Sequence, residues 1–112
     1  MGSFVKGDVV VLNFPFSDLS GSKKRPAFVL TDLPGEDIIL CQLTSKAKSD
    51  PFALLLEPHD FITGGLPVVS LIRPNKIFTA DKNLIFSVAG HLSERKTNDV
   101  LNAVIAVILA KI

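Results

Sequence analysis

Short apolar runs, separated by prolines, glycines and polar clusters, are the feature of this 112-residue chain that most restricts its fold. Residues 9–14 (VVVLNF), 26–31 (PAFVLT) and 37–43 (DIILCQL) are rich in β-branched and apolar side chains, as strands are. The first run is apolar at both alternating sets of positions, which favours a strand buried on two faces. A connection of only a few residues, with Pro34 and Gly35, predicts that the second and third runs form an antiparallel hairpin.

The middle of the chain continues the same pattern. Residues 51–57 (PFALLLE) predict another strand, and the following PHDFITGGLP predicts a turn-rich return with a glycine pair. The run VVSLIRPNKIFTA predicts one long strand or two colinear strands broken near Pro74, and DKNLIFSVAGHL predicts a turn and then a short last strand.

The pattern changes to a helix after Ser93, which can cap the first turn. Apolar residues then recur at spacings of three and four, at Val100, Leu101, Val104, Ile105 and Ile108. The apolar arc is broader than a one-sided surface helix requires, so we expect a second subunit to cover part of it. Many strands followed by one helix predict a mainly β fold, an antiparallel barrel or sandwich closed by a C-terminal helix, with residues 1–112 as a single domain.

Composition and charge narrow the class of protein. A formal net charge of +1 argues against a protein that is basic all over, although a local basic patch remains compatible with it. The lone Cys41 cannot form an internal disulfide, and its apolar surroundings predict a small buried side chain rather than a reactive thiol. Without a signal sequence or an apolar segment of the ~20 residues that span a bilayer, we expect a cytoplasmic protein that contacts no membrane.

Several chemistries lack their sequence patterns. The two histidines, His59 and His91, are far apart in the chain and neither has metal-ligand spacing, so we expect no metal and no cofactor. The chain contains neither a nucleophile elbow nor a glycine-rich phosphate loop. His91 is compatible with general acid or base work, but a structural hydrogen bond is the commoner role at such a position, and the same holds for His59.

The remaining chemical groups are cations and hydroxyls that follow or precede strands. Lys23, Lys24 and Arg25 stand between a Ser/Gly-rich loop and Pro26, in FSDLSGSKKRPAFVLTD, and we place these cations on the loop. Thr44 ends the DIILCQL run. Composition alone is compatible with solvated surface charges and ordinary strand termination, but the same groups would suit a phosphate.

The order of motifs, KGDVVVLNFPFSD, KKRPAFVL, ILCQLTS, NKIFTADKNLI and AGHLS before a C-terminal helix, resembles the MazF/PemK toxins of type II toxin–antitoxin systems, in particular the PemK-like subset. The resemblance implies an SH3-like antiparallel barrel related to that of CcdB, usually a homodimer. It also implies metal-independent, sequence-specific cleavage of single-stranded RNA. The implied partners are a cognate acidic antitoxin and, only through the antitoxin complex, operator DNA.

The same resemblance suggests site residues. Arg25 matches the arginine of the family's RP motif, and Thr44 and Ser45 match its TS motif, so these three are the candidate catalytic residues. Gly7 and Asp8 match the opening GD, to which we give a structural role.

RNA chemistry gives the cations and hydroxyls separate roles. A planar guanidinium can stabilise charge on phosphate oxygens, whereas its pKa makes it a poor base, so the general base would be a carboxylate, a histidine or water. Lys23 and Lys24 would contact the RNA backbone, with Lys46 and Lys48 as weaker candidates. Phe16 would stack on a base, although it could equally pack in the core.

Two other functions share this predicted fold. One is a catalytically silent SH3-like module that binds an antitoxin or a nucleic acid, and the other is a CcdB-like gyrase poison. RNA cleavage separates the nuclease from both.

Overall fold

A seven-stranded sheet forms most of the molecule, in a computed structural model that describes residues 4–14, 23–45 and 50–111. The strands are β1 (Asp8–Phe14), β2 (Lys23–Asp32), β3 (Asp37–Thr44), β4 (Leu54–Leu56), β5 (Phe61–Gly64), β6 (Ser70–Asp81) and β7 (Ile85–Leu92). Short 3-10 turns cover Pro58–Asp60 and Lys82–Leu84, and helix α1 spans Glu94–Ile108. The spatial order is β4-β6-β3-β2-β1-β7-β5, and every neighbouring pair is antiparallel. The predicted class, mainly β with one C-terminal helix, is confirmed.

The sheet buries apolar side chains on both of its faces. One cluster joins Phe28, Cys41 and Ile72 to Val100 and Val104 of the helix. The other cluster, on the opposite face, contains Val10, Leu12, Ala27, Val29, Ile38 and Leu40. Because successive residues of a strand point to opposite faces, β1 contributes to both clusters, as its two-sided apolar pattern predicted. Burial of each large side chain stabilises the fold by about 1.5–3 kcal/mol.

Cys41 lies at the centre of the first cluster and is fully buried. Burial raises the pKa of its thiol to about 12, because the thiolate would lose its hydration. The prediction of a small buried side chain at Cys41 is therefore confirmed.

The position of the three cations differs from the prediction. Lys23, Lys24 and Arg25 are the first residues of β2, where they pair with Phe14, Asn13 and Leu12 of β1, and so they belong to a strand rather than to the loop. Pro26 therefore lies inside the strand and not at its start. The sheet tolerates this proline because β2 pairs with β3 only from Ala27 onward, so no N–H is needed on that side.

Three further boundaries differ from the sequence patterns. The strand predicted at 51–57 is only Leu54–Leu56, and the turn-rich return contains a strand that the sequence did not reveal, Phe61–Gly64. The last strand, β7, is longer than expected, with 8 residues. Strand β6 runs unbroken through Pro74, but its pairing with β3 shifts register between Ile72 and Ile77, so the proline sits where the ladder is interrupted.

A compact junction holds the start of β1 against β7 and the helix. Gly7 adopts a φ of +98°, a conformation that residues with a side chain rarely adopt, and its N–H donates to the carbonyl of Val29. Asp8 accepts the backbone N–H of Val5 and lies 2.8 Å from His91 Nδ1. The structural role expected for Gly7 and Asp8 agrees with these contacts.

Helix α1 begins at the predicted residue. The Ser93 hydroxyl oxygen accepts the Lys96 N–H at 3.1 Å, which satisfies one of the open donors of the first turn. The inner face of the helix is buried, whereas Ile105, Ile108 and Leu109 on the outer face are exposed. In the described ranges, no helix has the length and hydropathy needed to cross a membrane.

Candidate active-site cleft

A cleft of about 490 Å³ opens where β2 begins and β3 ends. Three cations of β2, Lys23, Lys24 and Arg25, line it together with Thr44 and Ser45. The remaining lining residues are Val11, Pro26, Leu43, Leu66, Pro67, Val68 and Ser70. The cleft therefore combines positive charge and hydroxyl groups with a partly apolar surface.

Strand register brings Arg25 and Thr44 to this cleft from positions 19 residues apart in the sequence. In the antiparallel β2–β3 pair, Ala27 is opposite Gln42. Two residues further along each strand, the same register places Arg25 opposite Thr44, and residues opposite each other in such a pair share one face of the sheet. The arginine of the RP sequence and the hydroxyls of the TS sequence therefore lie at one site.

The charge of Arg25 is not neutralised within the described part of the chain. Its side chain is exposed, and no carboxylate of residues 4–14, 23–45 or 50–111 forms an ion pair with it. Arg73 gives the contrast, because its Nε donates to Asp50 Oδ2 at 2.6 Å. The guanidinium of Arg73 holds the pKa of Asp50 below its usual value, so Arg73 is committed to a structural ion pair.

The opposite wall of the cleft was not predicted. Leu66, Pro67 and Val68 form part of it, in the segment between β5 and β6. Ser70, only 3% exposed, donates its hydroxyl to the carbonyl of Val68 at 3.2 Å and so ties that segment to the start of β6. Only the long-range pairing of β6 with β3 brings this wall to Thr44, and no local pattern in the sequence reports that pairing.

An exposed aromatic side chain next to the cleft was also missed. The ammonium group of Lys24 lies 3.9 Å from the ring centre of Phe86, within the range of a cation–π contact. Phe86 belongs to β7 and is 62% exposed. The run NLIFSVAG is typical of an ordinary strand in which a phenylalanine is buried, so no local pattern predicts the exposure of Phe86.

The other predicted site residues lie away from the cleft or belong to the segments that the structure does not describe. Phe16, Lys46 and Lys48 fall outside the described residues. His91 pairs with Asp8 at the far end of β1, roughly 14 Å along the strand from Leu12, the partner of Arg25, at about 3.4 Å per residue. This contact agrees with a structural role for His91.

Neither His59 nor a cluster of metal-ligating side chains forms a second candidate site in the part of the chain that the structure describes. His59 is exposed on the turn before β5, beside Glu57 and Asp60. Within the described ranges, no three His, Cys, Asp or Glu side chains are grouped as metal ligands would be.

A family model of PemK-like, MazF-like toxins of type II toxin–antitoxin systems matches residues 5–108. The chain belongs to this family. The match covers every residue that lines the cleft and both strands beside it, β2 and β3. The cleft of this PemK-like chain therefore lies within the segment that the family model matches. No curated protein sequence matches it at a significant level.

Solved structures share the fold of the PemK-like chain. MazF from Deinococcus radiodurans, in crystal form I, is 22% identical, with a TM-score of 0.74 and coverage of 98% of this chain and 99% of the other. An endoribonuclease from a Mycobacterial species is 18% identical, with a TM-score of 0.70 and coverage of 98% and 94%. A Mycobacterial endoribonuclease in complex with its cognate antitoxin is 19% identical, with a TM-score of 0.71 and coverage of 96% of each chain. At these identities the likeness establishes the fold, an antiparallel half-barrel with one C-terminal helix.

Proposed function

We propose that this chain is a metal-independent, sequence-specific endoribonuclease toxin that cleaves single-stranded RNA, with residues 1–112 acting as one domain. One observation carries the proposal. In this PemK-like protein, a single cleft contains two hydroxyl side chains and an arginine that has no carboxylate partner among the described residues. Arg25, Thr44 and Ser45 are the proposed catalytic residues.

Cleavage begins when the ribose 2′-hydroxyl attacks the adjacent phosphorus, and it ends when the 5′-oxygen leaves. Negative charge grows on the phosphate oxygens in between. The Arg25 guanidinium can donate two hydrogen bonds to those oxygens without losing its own proton. One preorganised donor of this kind stabilises a transition state by roughly 3–4 kcal/mol. Thr44 and Ser45 can donate hydroxyl protons to the phosphate or hold the 2′-hydroxyl in line.

The described lining of the cleft contains no histidine and no carboxylate. The two described histidines have other neighbours, since His91 contacts Asp8 and His59 lies beside Asp60. The described residues of the cleft therefore supply positioning and charge stabilisation, while water accepts the proton of the 2′-hydroxyl and returns one to the departing 5′-oxygen.

The charge of the cleft also suggests the partners. Lys23 and Lys24 would contact the RNA backbone, which makes affinity depend on salt. A disordered acidic segment of a cognate antitoxin would fit the same cations and cover Arg25, since disordered chains can wrap large surfaces. A Mycobacterial relative was solved with its cognate antitoxin, which supports such a partner here. Contact with operator DNA would require that antitoxin, and the activity belongs in the cytoplasm.

A homodimer is proposed from the outer face of α1. Ile105, Ile108 and Leu109 are exposed there, in positions where a second copy could bury them. Sedimentation at micromolar concentration should give a dimer, whereas a monomer that persists at high concentration would contradict the proposal.

The direct test of the activity is incubation of the purified protein with long single-stranded transcripts in the presence of EDTA. The wild type should give discrete fragments, and mapping their ends should reveal a short shared sequence. Arg25→Ala should cut roughly 100- to 1000-fold more slowly, the loss typical of one such donor. Arg95→Ala is the matched control, because Arg95 is an exposed arginine of the helix that does not line the cleft.

Each outcome of this test has a clear meaning. Intact RNA with every transcript would contradict the nuclease and leave the binding module or gyrase poison. Equal cutting by the wild type and Arg25→Ala would remove Arg25 from the site but keep the activity.

A further inference from the structure

Phe86 lies beside the cleft, and nothing in the nuclease mechanism uses it. We propose that this ring is a stacking platform for one nucleobase of the single strand that the cleft binds. The inference rests on the proposed function in one respect, that single-stranded RNA is the ligand of the cleft.

The first observation is the exposure of the ring. The chain has 8 phenylalanines and neither tryptophan nor tyrosine, so phenylalanine supplies all its large aromatic rings. Of the phenylalanines whose side chains the structure describes, Phe86 alone is exposed; Phe28 is buried, and the half-buried ones are Phe4, Phe52, Phe61 and Phe78. A single exposed apolar side chain is common on protein surfaces, so the exposure of Phe86 makes the ring accessible to a ligand, and the bulge and the Lys24 contact described next connect it to the cleft.

The second observation is the backbone that presents the ring. Ser87 pairs with Val11 and Ile85 pairs with Leu12, so Phe86 is the extra residue of an irregularity between β1 and β7. Such bulges re-aim a side chain and are frequent beside active sites. At this position a regular strand would have paired the residue with β1.

The third observation is the contact with Lys24, which connects the ring to the cleft. Lys24 lines the cleft and also holds its ammonium 3.9 Å from the ring centre of Phe86. Only β1 separates β2 from β7, a distance of roughly 10 Å for two strand spacings. A strand whose phosphate contacts Lys24 therefore needs only to cross β1 for a neighbouring base to reach the ring.

The chemistry of the surroundings favours a nucleic acid over a protein anchor. Lys24 contacts the ring, Lys23 and Arg25 line the same cleft as Lys24, and no carboxylate lines the described cleft. Proteins that bind single strands combine a positively charged groove with aromatic rings on which bases stack. Phe86 on β7 and the cations on β2 reproduce both parts, on the two sides of β1.

The test measures binding without cleavage. The probe is a fluorescein-labelled, mixed-sequence single-stranded RNA that is 2′-O-methylated throughout, so the attacking hydroxyl is blocked. A mixed sequence suffices because stacking on aromatic rings tolerates any base. A second series of probes lacks the base at one nucleotide at a time. Fluorescence anisotropy gives the affinity of the wild type, Phe86→Ala, Phe86→Leu and Phe86→Trp.

Stacking predicts a specific pattern among these variants. Phe86→Ala and Phe86→Leu should bind the complete probe roughly 5- to 150-fold more weakly, whereas Phe86→Trp should bind at least as tightly as the wild type. Removal of one particular base should weaken the wild type to a similar degree and leave Phe86→Ala unaffected. Ile62→Ala is the matched control, because Ile62 is 65% exposed on β5 and lies outside the cleft.

Other results would overturn the inference. If Phe86→Ala binds every probe as the wild type does but loses self-association or antitoxin binding, the ring is a protein contact. If Phe86→Leu matches the wild type, the contact is apolar without being a stack. If the wild type binds no probe, stacking is excluded together with RNA as the ligand.

The outcome is separable from that of the proposed function. Cutting by the wild type with unchanged binding by Phe86→Ala would keep the nuclease and reject the stack. Loss of binding in Phe86→Ala without any cutting by the wild type would keep the stack and reject the nuclease. A thermal melt of each variant shows whether the sheet is intact, which an exposed position should allow.

Discussion

Arg25 and Thr44 line one cleft from adjacent antiparallel strands, although the pairing of β2 with β3 stops two residues short of both, at Ala27 and Gln42. The register of Ala27 with Gln42, continued toward the strand ends, brings them opposite each other. In the proposed mechanism, the hydroxyl and the guanidinium would therefore approach a phosphate from two adjacent strands.

Thr44→Val should lower the rate of RNA cleavage, because valine keeps the β-branched shape and removes the hydroxyl. A hydrogen bond to a charged group is worth about 1.5–3 kcal/mol, so the rate should fall roughly 10- to 150-fold. Thr44→Ser, which retains the hydroxyl, should keep most of the activity. The measurement is single-turnover cleavage of a mapped RNA site, and equal rates for Thr44→Val and the wild type would remove Thr44 from the chemistry.

Lys23→Ala and Lys24→Ala should each reduce the salt dependence of RNA binding. A lysine that neutralises one phosphate of a single strand contributes roughly 0.7 to the slope of log affinity against log salt, because it releases a counterion. Anisotropy titrations at several salt concentrations give the slope. Lys6→Ala is the control, since Lys6 is exposed before β1 and does not line the cleft, and its slope should match that of the wild type.

The Asp50–Arg73 ion pair should make stability depend on pH in the acid range. Arg73 lowers the pKa of Asp50 below its ordinary value of 3.8, so the folded state binds this proton less readily than the unfolded state. The pair's contribution is thus complete above that ordinary value and disappears as the pH falls through the lower folded pKa.

Asp50→Asn should test this dependence. At neutral pH it should destabilise the fold by about 1.5–3 kcal/mol, the contribution of a hydrogen bond between charged groups. Urea unfolding from pH 7 to pH 2 should show the difference from the wild type shrinking below the ordinary pKa. Arg73→Gln should give the same trend, and a difference that stays constant to the lowest pH would show that the carboxyl does not titrate with folding.

Gly7→Ala should destabilise the fold more than Gly35→Ala. Both glycines have a positive φ, but a Cβ on Gly7 would lie 2.8 Å from Thr97 Oγ1, whereas Gly35 has open space around it. The conformation alone costs about 1–2 kcal/mol in each case, and the contact at Gly7 brings its loss to about 2 kcal/mol or more. Denaturant midpoints measure both, and equal losses would mean that Thr97 moves aside freely.

The start of the helix and the burial of Cys41 could be predicted from short stretches of the sequence. Ser93 caps the helix at the predicted position because a hydroxyl before an apolar period satisfies the open N–H groups of the first turn. Cys41 is buried because every neighbour in DIILCQL is apolar or paired within the sheet. The residues that the resemblance to the MazF/PemK toxins singled out, Arg25, Thr44 and Ser45, do line one cleft.

The errors have a common physical origin in pairing between distant segments. Lys23 joins β2 because Phe14 pairs with it, even though three consecutive cations read locally as loop. The short strand Phe61–Gly64 was missed because the glycine pair at 64 and 65 reads locally as a turn, although Phe, Ile and Thr favour strands; pairing with β7 decides the outcome.

By itself, then, the sequence determined that the chain is mainly β with one terminal helix, and it supplied the groups that suit a phosphate. Which of these groups share a site depends on how distant strands pair in the folded chain. The wall formed by Leu66, Pro67 and Val68 and the exposed ring of Phe86 depend on the pairing of β6 with β3 and on the irregular register of β7 with β1. These pairings are determined by the burial of whole strand faces. The stabilising free energy is spread over so many residues that a short sequence motif does not reveal it.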